Sequence, residues 1–225
     1  MHKWNITPEE AIKLQNELRS KIVLENRVDI SRLEIIAASD LAYDGDIGYA
    51  VVLVYSYPRL SLLEKISVKK EVKFPYIPGL LAFREMPLLI DAASRLSKKP
   101  DVWLIDGAGL AHPRRMGIAT HFGIYMDTPT VGCAKSHLFG KFKEPGLKQG
   151  DYSYIYDGDE IIGAVLRTKD NVNPLFISIG YAITLDVAIK LVLSCCDGYR
   201  LPKPLREAHN VIERIKHKEG EMTLF

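Results

Sequence analysis

Apolar and polar positions alternate along the chain in two regimes. "LEIIAASD" (33–40) is too apolar for a half-solvated strand, so it reads as a buried strand ending in an acid. "DLAYDGDIGYAVVLVYSY" (40–57) turns at Asp44-Gly45-Asp46 and returns as a β-rich run, the pattern of a hairpin. "LSLLEKISVKKEVKF" (60–74) alternates as a third strand, which makes an antiparallel meander. The pattern then changes. A helical stretch over 79–97 precedes "DVWLID" (101–106), a short apolar strand that also ends in an acid. A Gly-rich loop, a helix near 115–125 and the buried strand "TPTVGCAK" (128–135) follow. "YSYIYDGDEIIGAVLRT" (152–168) gives a second hairpin, turning at Asp157-Gly158. "NPLFISIG" (173–180) gives a last strand, and helices are predicted at 184–196 and 204–218.

At the N-terminus, Thr7 is placed as an N-cap, with Pro8 in the first turn and Glu10 completing a capping box. Ala11, Leu14, Leu18 and Ile22 form the apolar stripe of that helix. Strands separated by helices imply parallel pairing through right-handed crossovers. The expected fold is therefore mixed α/β: three antiparallel strands, then parallel βα units, with helices flanking the sheet. No internal repeat or low-complexity linker divides the chain, so a single domain over 1–225 is expected.

Composition narrows the function classes without choosing one. Hydrophobic residues at 47% and charged residues at 26% are ordinary for a globular chain with a sizeable core. A net charge of +2 supplies no global attraction for nucleic acid, so any such binding must come from local clusters. Three cysteines, two of them adjacent at Cys195 and Cys196, are no disulfide framework and fit a reducing compartment. With no apolar leader or membrane-length run, a cytoplasmic protein is expected.

The candidate chemistry lies in the acids. Asp40 and Asp106 each follow an apolar strand, and in α/β sheets sites gather at carboxyl ends. If the two strands are parallel neighbours, the backbones lie about 4.7–4.9 Å apart, and carboxylates that close share a proton or a cation. Glu85 can join them from the adjacent helix, aimed inward by a break or kink expected where Met86 precedes Pro87. Three hard oxygen donors suit Mg²⁺ or Mn²⁺ better than zinc. Taken singly, an Asp after a strand is more commonly a turn former or helix cap, and it is the pair that points to a site.

"DGAGLAHPRRMGIATHFG" (106–123) adds to this picture. Gly107 and Gly109 leave backbone N–H groups open to a phosphate or a base edge. His112, Arg114 and Arg115 bring a titratable ring and two cations, and Lys135 ends the next strand as Asp106 ends its own. Phosphodiester hydrolysis needs these residue types. A solvated Arg pair and a hydrogen-bonded loop His are the bland alternative. His209 shares a helix face with Leu205 and Ile212, where a lone His is more often a packing residue, and Cys133 reads as core.

These residues together resemble the endonuclease V family. The resemblance runs through nearly the whole chain, on "ASDLAY" (38–43), "FPYIPGLLAFRE" (74–85), the 106–123 segment, "VGCAKS" (131–136) and "LREAH" (205–209). It implies an RNase H-like fold and a Mg²⁺-dependent hydrolase, with Mn²⁺ able to substitute. The implied reaction is incision of DNA at the second phosphodiester 3′ to deaminated adenine. It implies metal on Asp40, Asp106 and Glu85, His209 near the metal and Lys135 near the scissile phosphate. Tyr76, held between Pro75 and Pro78, is the implied wedge. Gly79, Leu81, Gly107, His112 and Ile118 lie at the implied base pocket. Inosine-containing DNA is the implied partner of a monomeric protein, with inosine-containing RNA left open beside it. An endoribonuclease acting on inosine in RNA and a lesion-binding protein without turnover are the alternatives.

Three features depart from, or stand outside, the family pattern. "AASD" replaces Gly-Val-Asp, Tyr181 stands where a His commonly follows the Gly, and 141–152 reads as a mobile loop over the substrate strand.

Overall fold

The computed structural model describes residues 4–222, with side chains to 216. Helix α1 (Pro8–Leu18) opens with the expected capping box: Thr7 N–H donates to Glu10 Oε2 at 2.7 Å, and Glu10 N–H to Thr7 Oγ1 at 3.3 Å. It ends before Ile22, because the chain tightens into a 3₁₀ turn at Arg19–Lys21. Its buried face is Ala11, Gln15 and Leu18, so a polar amide occupies the apolar stripe.

The meander forms as expected. Strands β1 (Ile35–Asp44), β2 (Ile47–Ser56) and β3 (Leu62–Glu71) pair antiparallel, and Gly45 at φ 56° supplies the turn between the first two. β1 does not end at Asp40. It runs on to Asp44 because β2 keeps pairing with it.

Helix α2 (Leu81–Ser94) leads to β4 (Val102–Ile105), then α3 (Ile118–Met126) leads to β5 (Thr130–Ala134). β1, β4 and β5 are parallel neighbours joined by these helical crossovers. β6 (Lys141–Phe142), β7 (Tyr152–Asp157), β8 (Glu160–Leu166) and β9 (Leu175–Tyr181) complete the sheet in the order β3-β2-β1-β4-β5-β9-β8-β7-β6. β9 is antiparallel to β5, a direction that the sequence reading did not assign. No helix intervenes between β5 and β9, so no crossover forces parallel pairing. The β3-β2-β1-β4-β5 portion is the expected RNase H-like arrangement.

Both faces of the sheet are covered. Ile36, Ala38, Val51 and Leu53 pack under α4 (Leu185–Ser194) and α5 (Lys203–Met222), while Ala37, Val52 and Val54 pack under α2 and α3. Pro87 does not break α2, although it deletes a helical hydrogen bond. Met86, Leu88, Leu89, Ala92 and Ala93 are buried against the sheet on either side of it, and that packing holds the helix together. The 141–152 segment is tied down at several points. Arg167 donates from Nε to Gly146 O at 2.9 Å and from Nη2 to Glu144 Oε1 at 2.9 Å. Among the described residues no helix is long and apolar enough to cross a membrane.

Candidate active site

Strand parity assembles the acids. The parallel ladder between β1 and β4 ends at Ser39 opposite Ile105, and Asp106 N–H still reaches Ser39 O at 3.3 Å. Asp40 and Asp106 are therefore the next residues in register at this edge. Asp40 shares the parity of Ile36 and Ala38, which face α5. It meets His209 there, whose Nδ1 lies 2.8 Å from Asp40 Oδ2. Leu205, Ala208 and Ile212 bury the face of α5 that His209 flanks, and Tyr55 donates to Glu207 Oε2 at 2.6 Å, fixing the helix on β2. Lys135, just past β5, places Nζ 2.6 Å from Asp106 Oδ2. Glu85 approaches from the opposite face, carried by α2.

The three carboxylates form one electrostatic unit. Burial and then repulsion from Asp106 and Asp40 push Glu85 up to about 8. Asp106 is also raised, first by burial and then by Asp40, with Lys135 opposing the shift. Among the described residues no group of three or more His, Cys, Asp or Glu side chains is arranged to hold a metal ion. The carboxylate oxygens are instead engaged: Asp106 by Lys135, and Asp40 by His209 and its neighbour Leu41 N–H at 2.9 Å. What the site does have is a concentration of buried negative charge and hard oxygen donors, the condition that a small divalent cation relieves.

Beside this edge is a cavity of about 120 Å³. Tyr76, Gly79, Leu81, Gly107, His112 and Ile118 all line it, with Leu138 closing one side. α2 and α3 both begin at the cavity, at Leu81 and Ile118, without a side-chain cap. Phe83 N–H donates to Leu80 O at 3.0 Å and Ala119 N–H to Ala108 O at 3.1 Å, so it is the first N–H of each helix, at Leu81 and Ile118, that remains for an oxygen acceptor. Gly107 adopts φ 144°, and a Cβ there would come within 2.6 Å of the Ile118 side chain and fill the cavity mouth. Tyr76 projects with 71% of its surface exposed. A larger hollow of about 260 Å³, walled by Trp4, Phe74, Phe83 and Arg84, includes none of Asp40, Glu85 and Asp106.

Several residues have jobs other than those the sequence suggested. Arg115 is buried and paired with Asp157 Oδ2 at 2.6 Å and Glu160 Oε2 at 2.7 Å, so it clamps the β7–β8 turn. Arg114 donates to Gln15 and to Gly79 O. Neither is a free cation for a phosphate. His112 is a neutral wall residue, its pKa lowered to about 4, mainly by burial and then by Arg114. Gly109 N–H is not open: it donates to Ser178 Oγ at 2.7 Å. Tyr181 donates to Asp127 Oδ1 at 2.9 Å, on the far side of α3 from the acids, as part of a structural contact with Arg27. Sequence reasoning missed Gln15, whose one signal was its spacing of four from Ala11 and three from Leu18 on the buried face.

Comparison with known proteins places the chain in a family. The family model described as Endonuclease V matches residues 16–210. An endonuclease V of Dehalococcoides mccartyi is 46% identical over 211 residues, covering 93% of this chain and 94% of its own. A crystal structure of the Bacillus subtilis endonuclease V superposes with a TM-score of 0.94 at 32% identity, covering 98% of this chain and 97% of that one. The Ciona intestinalis endonuclease V, solved with a 24-mer DNA containing an inosine followed by a ribo-adenosine, gives a TM-score of 0.83 at 27% identity, covering 93% and 98%. With the acids at the parallel strand ends and the cavity beside them, the chain belongs to the endonuclease V family.

Proposed function

We propose that the protein hydrolyses DNA at the second phosphodiester on the 3′ side of hypoxanthine, with a divalent cation as cofactor. The observation that carries this reading is the dual service of α2. Leu81 lines the cavity, and Glu85 lies four residues on, about 6 Å along the helix. One rigid element thus joins the base pocket to the carboxylates. The Ciona endonuclease V was solved on DNA containing inosine, which supports the choice of base.

An unstacked base costs a few kcal/mol to extrude, and an aromatic wedge offsets part of that by filling the gap. Pro75 and Pro78 restrict the backbone around Tyr76, so its exposed ring serves as that wedge. The flipped base enters the cavity, where uncapped N–H groups of α2 and α3 donate to its O6. Adenine presents an amino group at that position and loses those bonds. Tyr76→Ala should therefore reduce cleavage of duplex substrate several-fold more than that of single-stranded substrate, where less stacking opposes extrusion. Equal losses in kcat/KM on both substrates would assign Tyr76 to packing.

Asp40, Glu85 and Asp106 would hold the cation, which when bound neutralises phosphate charge and activates water. The remaining residues act directly. Lys135 presents an ammonium at the same edge for the scissile phosphate, and Asp106 orients it. His209, held by Asp40, is placed to manage a proton at the carboxylate edge. Mg²⁺ takes octahedral oxygen coordination at about 2.0–2.1 Å, whereas Ca²⁺ takes 6–8 ligands at about 2.3–2.6 Å. Mg²⁺ and Mn²⁺ should support cleavage, and Ca²⁺ should support binding to deoxyinosine DNA without incision. The assay is one labelled duplex with a single deoxyinosine, run with each ion and with chelator. Full cleavage in Ca²⁺ alone or in excess chelator overturns the proposed cofactor. A matched RNA oligonucleotide in the same assay separates the ribonuclease reading, which predicts faster cleavage of RNA.

A further inference from the structure

Gln15 is fully buried at the centre of a hydrogen-bond hub that joins three segments. Its Nε2 donates to Gly79 O at 3.1 Å and to Met116 O at 3.1 Å. Its Oε1 accepts from Arg114 Nε at 2.5 Å. Arg114 Nη2 also donates to Gly79 O, at 2.7 Å, and His112 Nε2 approaches the same oxygen at 3.0 Å. His112 Nδ1 accepts from Arg114 N–H at 3.2 Å and Met116 N–H at 3.4 Å, which leaves the ring proton on Nε2 to donate to Gly79. One carbonyl thus takes three donors, and Gly79 holds its φ of 79° under that load.

Gly79, His112 and Met116 are all walls of the cavity, yet Gln15 itself does not line it. A primary amide uses both ends here, donating twice and accepting once. No apolar side chain can reproduce that. The amide also lies just outside the residues that match the family model, which begin at 16.

We propose that Gln15 is a specificity-determining positioning residue: it fixes the separation of the wedge segment, at Gly79, from the loop entering α3, at Met116. That separation sets the width of the cavity, and hence which base edges fit. This rests on the cavity being the base pocket. Hypoxanthine carries no exocyclic amino group, whereas guanine carries one at position 2 and adenine at position 6. A pocket held at one width excludes the extra group; a loosened one tolerates it and holds hypoxanthine less well.

The test is Gln15→Met, which keeps length and removes both the donors and the acceptor. Steady-state cleavage of oligonucleotides carrying inosine, guanine or adenine at one position is measured beside the wild type, with thermal unfolding of each protein. The expected result is a rise in KM for inosine of about tenfold, with a smaller change in kcat. Preference for inosine over guanine should fall by a similar factor. Arg114→Met, at a partly exposed position, removes the hub from its other end and should shift selectivity the same way if Gln15→Met does not fold. Unchanged KM and unchanged preference in a folded variant overturn the proposal. So does a loss confined to kcat, which would tie Gln15 to the carboxylates. If the wild type itself shows no preference for inosine, the base-pocket reading fails, not merely the role of Gln15.

Discussion

Asp106→Ala is expected to lower cleavage at least about a thousandfold while leaving binding to deoxyinosine DNA intact or slightly tighter. The carboxylate is the partner of Lys135 at 2.6 Å and a main source of the charge that raises Glu85. Removing it deletes a proposed cation ligand and frees the ammonium of Lys135 from the position in which it faces the acids. The cavity proposed to take the base depends on none of this, because its walls include Gly79, Leu81, Gly107, His112 and Ile118 and not Asp106. One less negative charge beside an approaching phosphate also reduces repulsion. Gel-shift affinity and single-turnover cleavage, measured on the same protein, separate the two effects. Turnover within tenfold of wild type would remove Asp106 from the reaction, and a parallel loss of binding would place it in recognition.

The sequence carried the elements that local chemistry dictates. The capping box of Thr7 and Glu10, the turn at Gly45 and the apolar runs of β1, β4 and β5 are all local signals, and each formed where expected. The edge that gathers Asp40, Asp106 and Lys135 was legible in part: Asp106 and Lys135 follow β4 and β5 as expected, whereas Asp40 lies inside β1, at the point where only its parallel ladder with β4 ends. What the sequence could not carry was long-range pairing. Arg114 and Arg115 are identical neighbours in type, yet one holds Gln15 and Gly79 while the other is buried against Asp157 and Glu160. Nothing within ten residues of either distinguishes them. Of the break or kink expected at Pro87, the break does not occur, because the packing of Met86, Leu88 and Leu89 carries the helix through it. The antiparallel β9 depended on the absence of a helix after β5, a topological fact and not a residue preference.

Glu85→Gln should make the metal-free protein more stable at pH 8 and at the same time inactive. Burial and its two acidic neighbours raise Glu85 in the folded protein from an ordinary 4.5 to about 8. A raised folded value means the unfolded chain releases this proton first as pH rises. The stability contributed by the protonated group is therefore fully present below about pH 4.5. It declines as pH climbs and is gone above about 8. The shift corresponds to a loss on the order of 5 kcal/mol for so buried a group, since one unit is about 1.4 kcal/mol. Glutamine has the same shape and does not titrate. In chelator, wild-type Tm should fall between pH 5 and 8.5 relative to that of Glu85→Gln, which should lead by roughly 10–20 °C at the upper end. A bound cation reverses the order, because it offsets the charge that glutamine lacks: adding Mg²⁺ at pH 8 should raise wild-type Tm and move the variant little. The two proteins share every other titrating group, so the difference between their pH profiles isolates Glu85. Parallel profiles in chelator would show that its carboxyl does not carry the proton, and an equal Mg²⁺ response would show that it does not hold the ion.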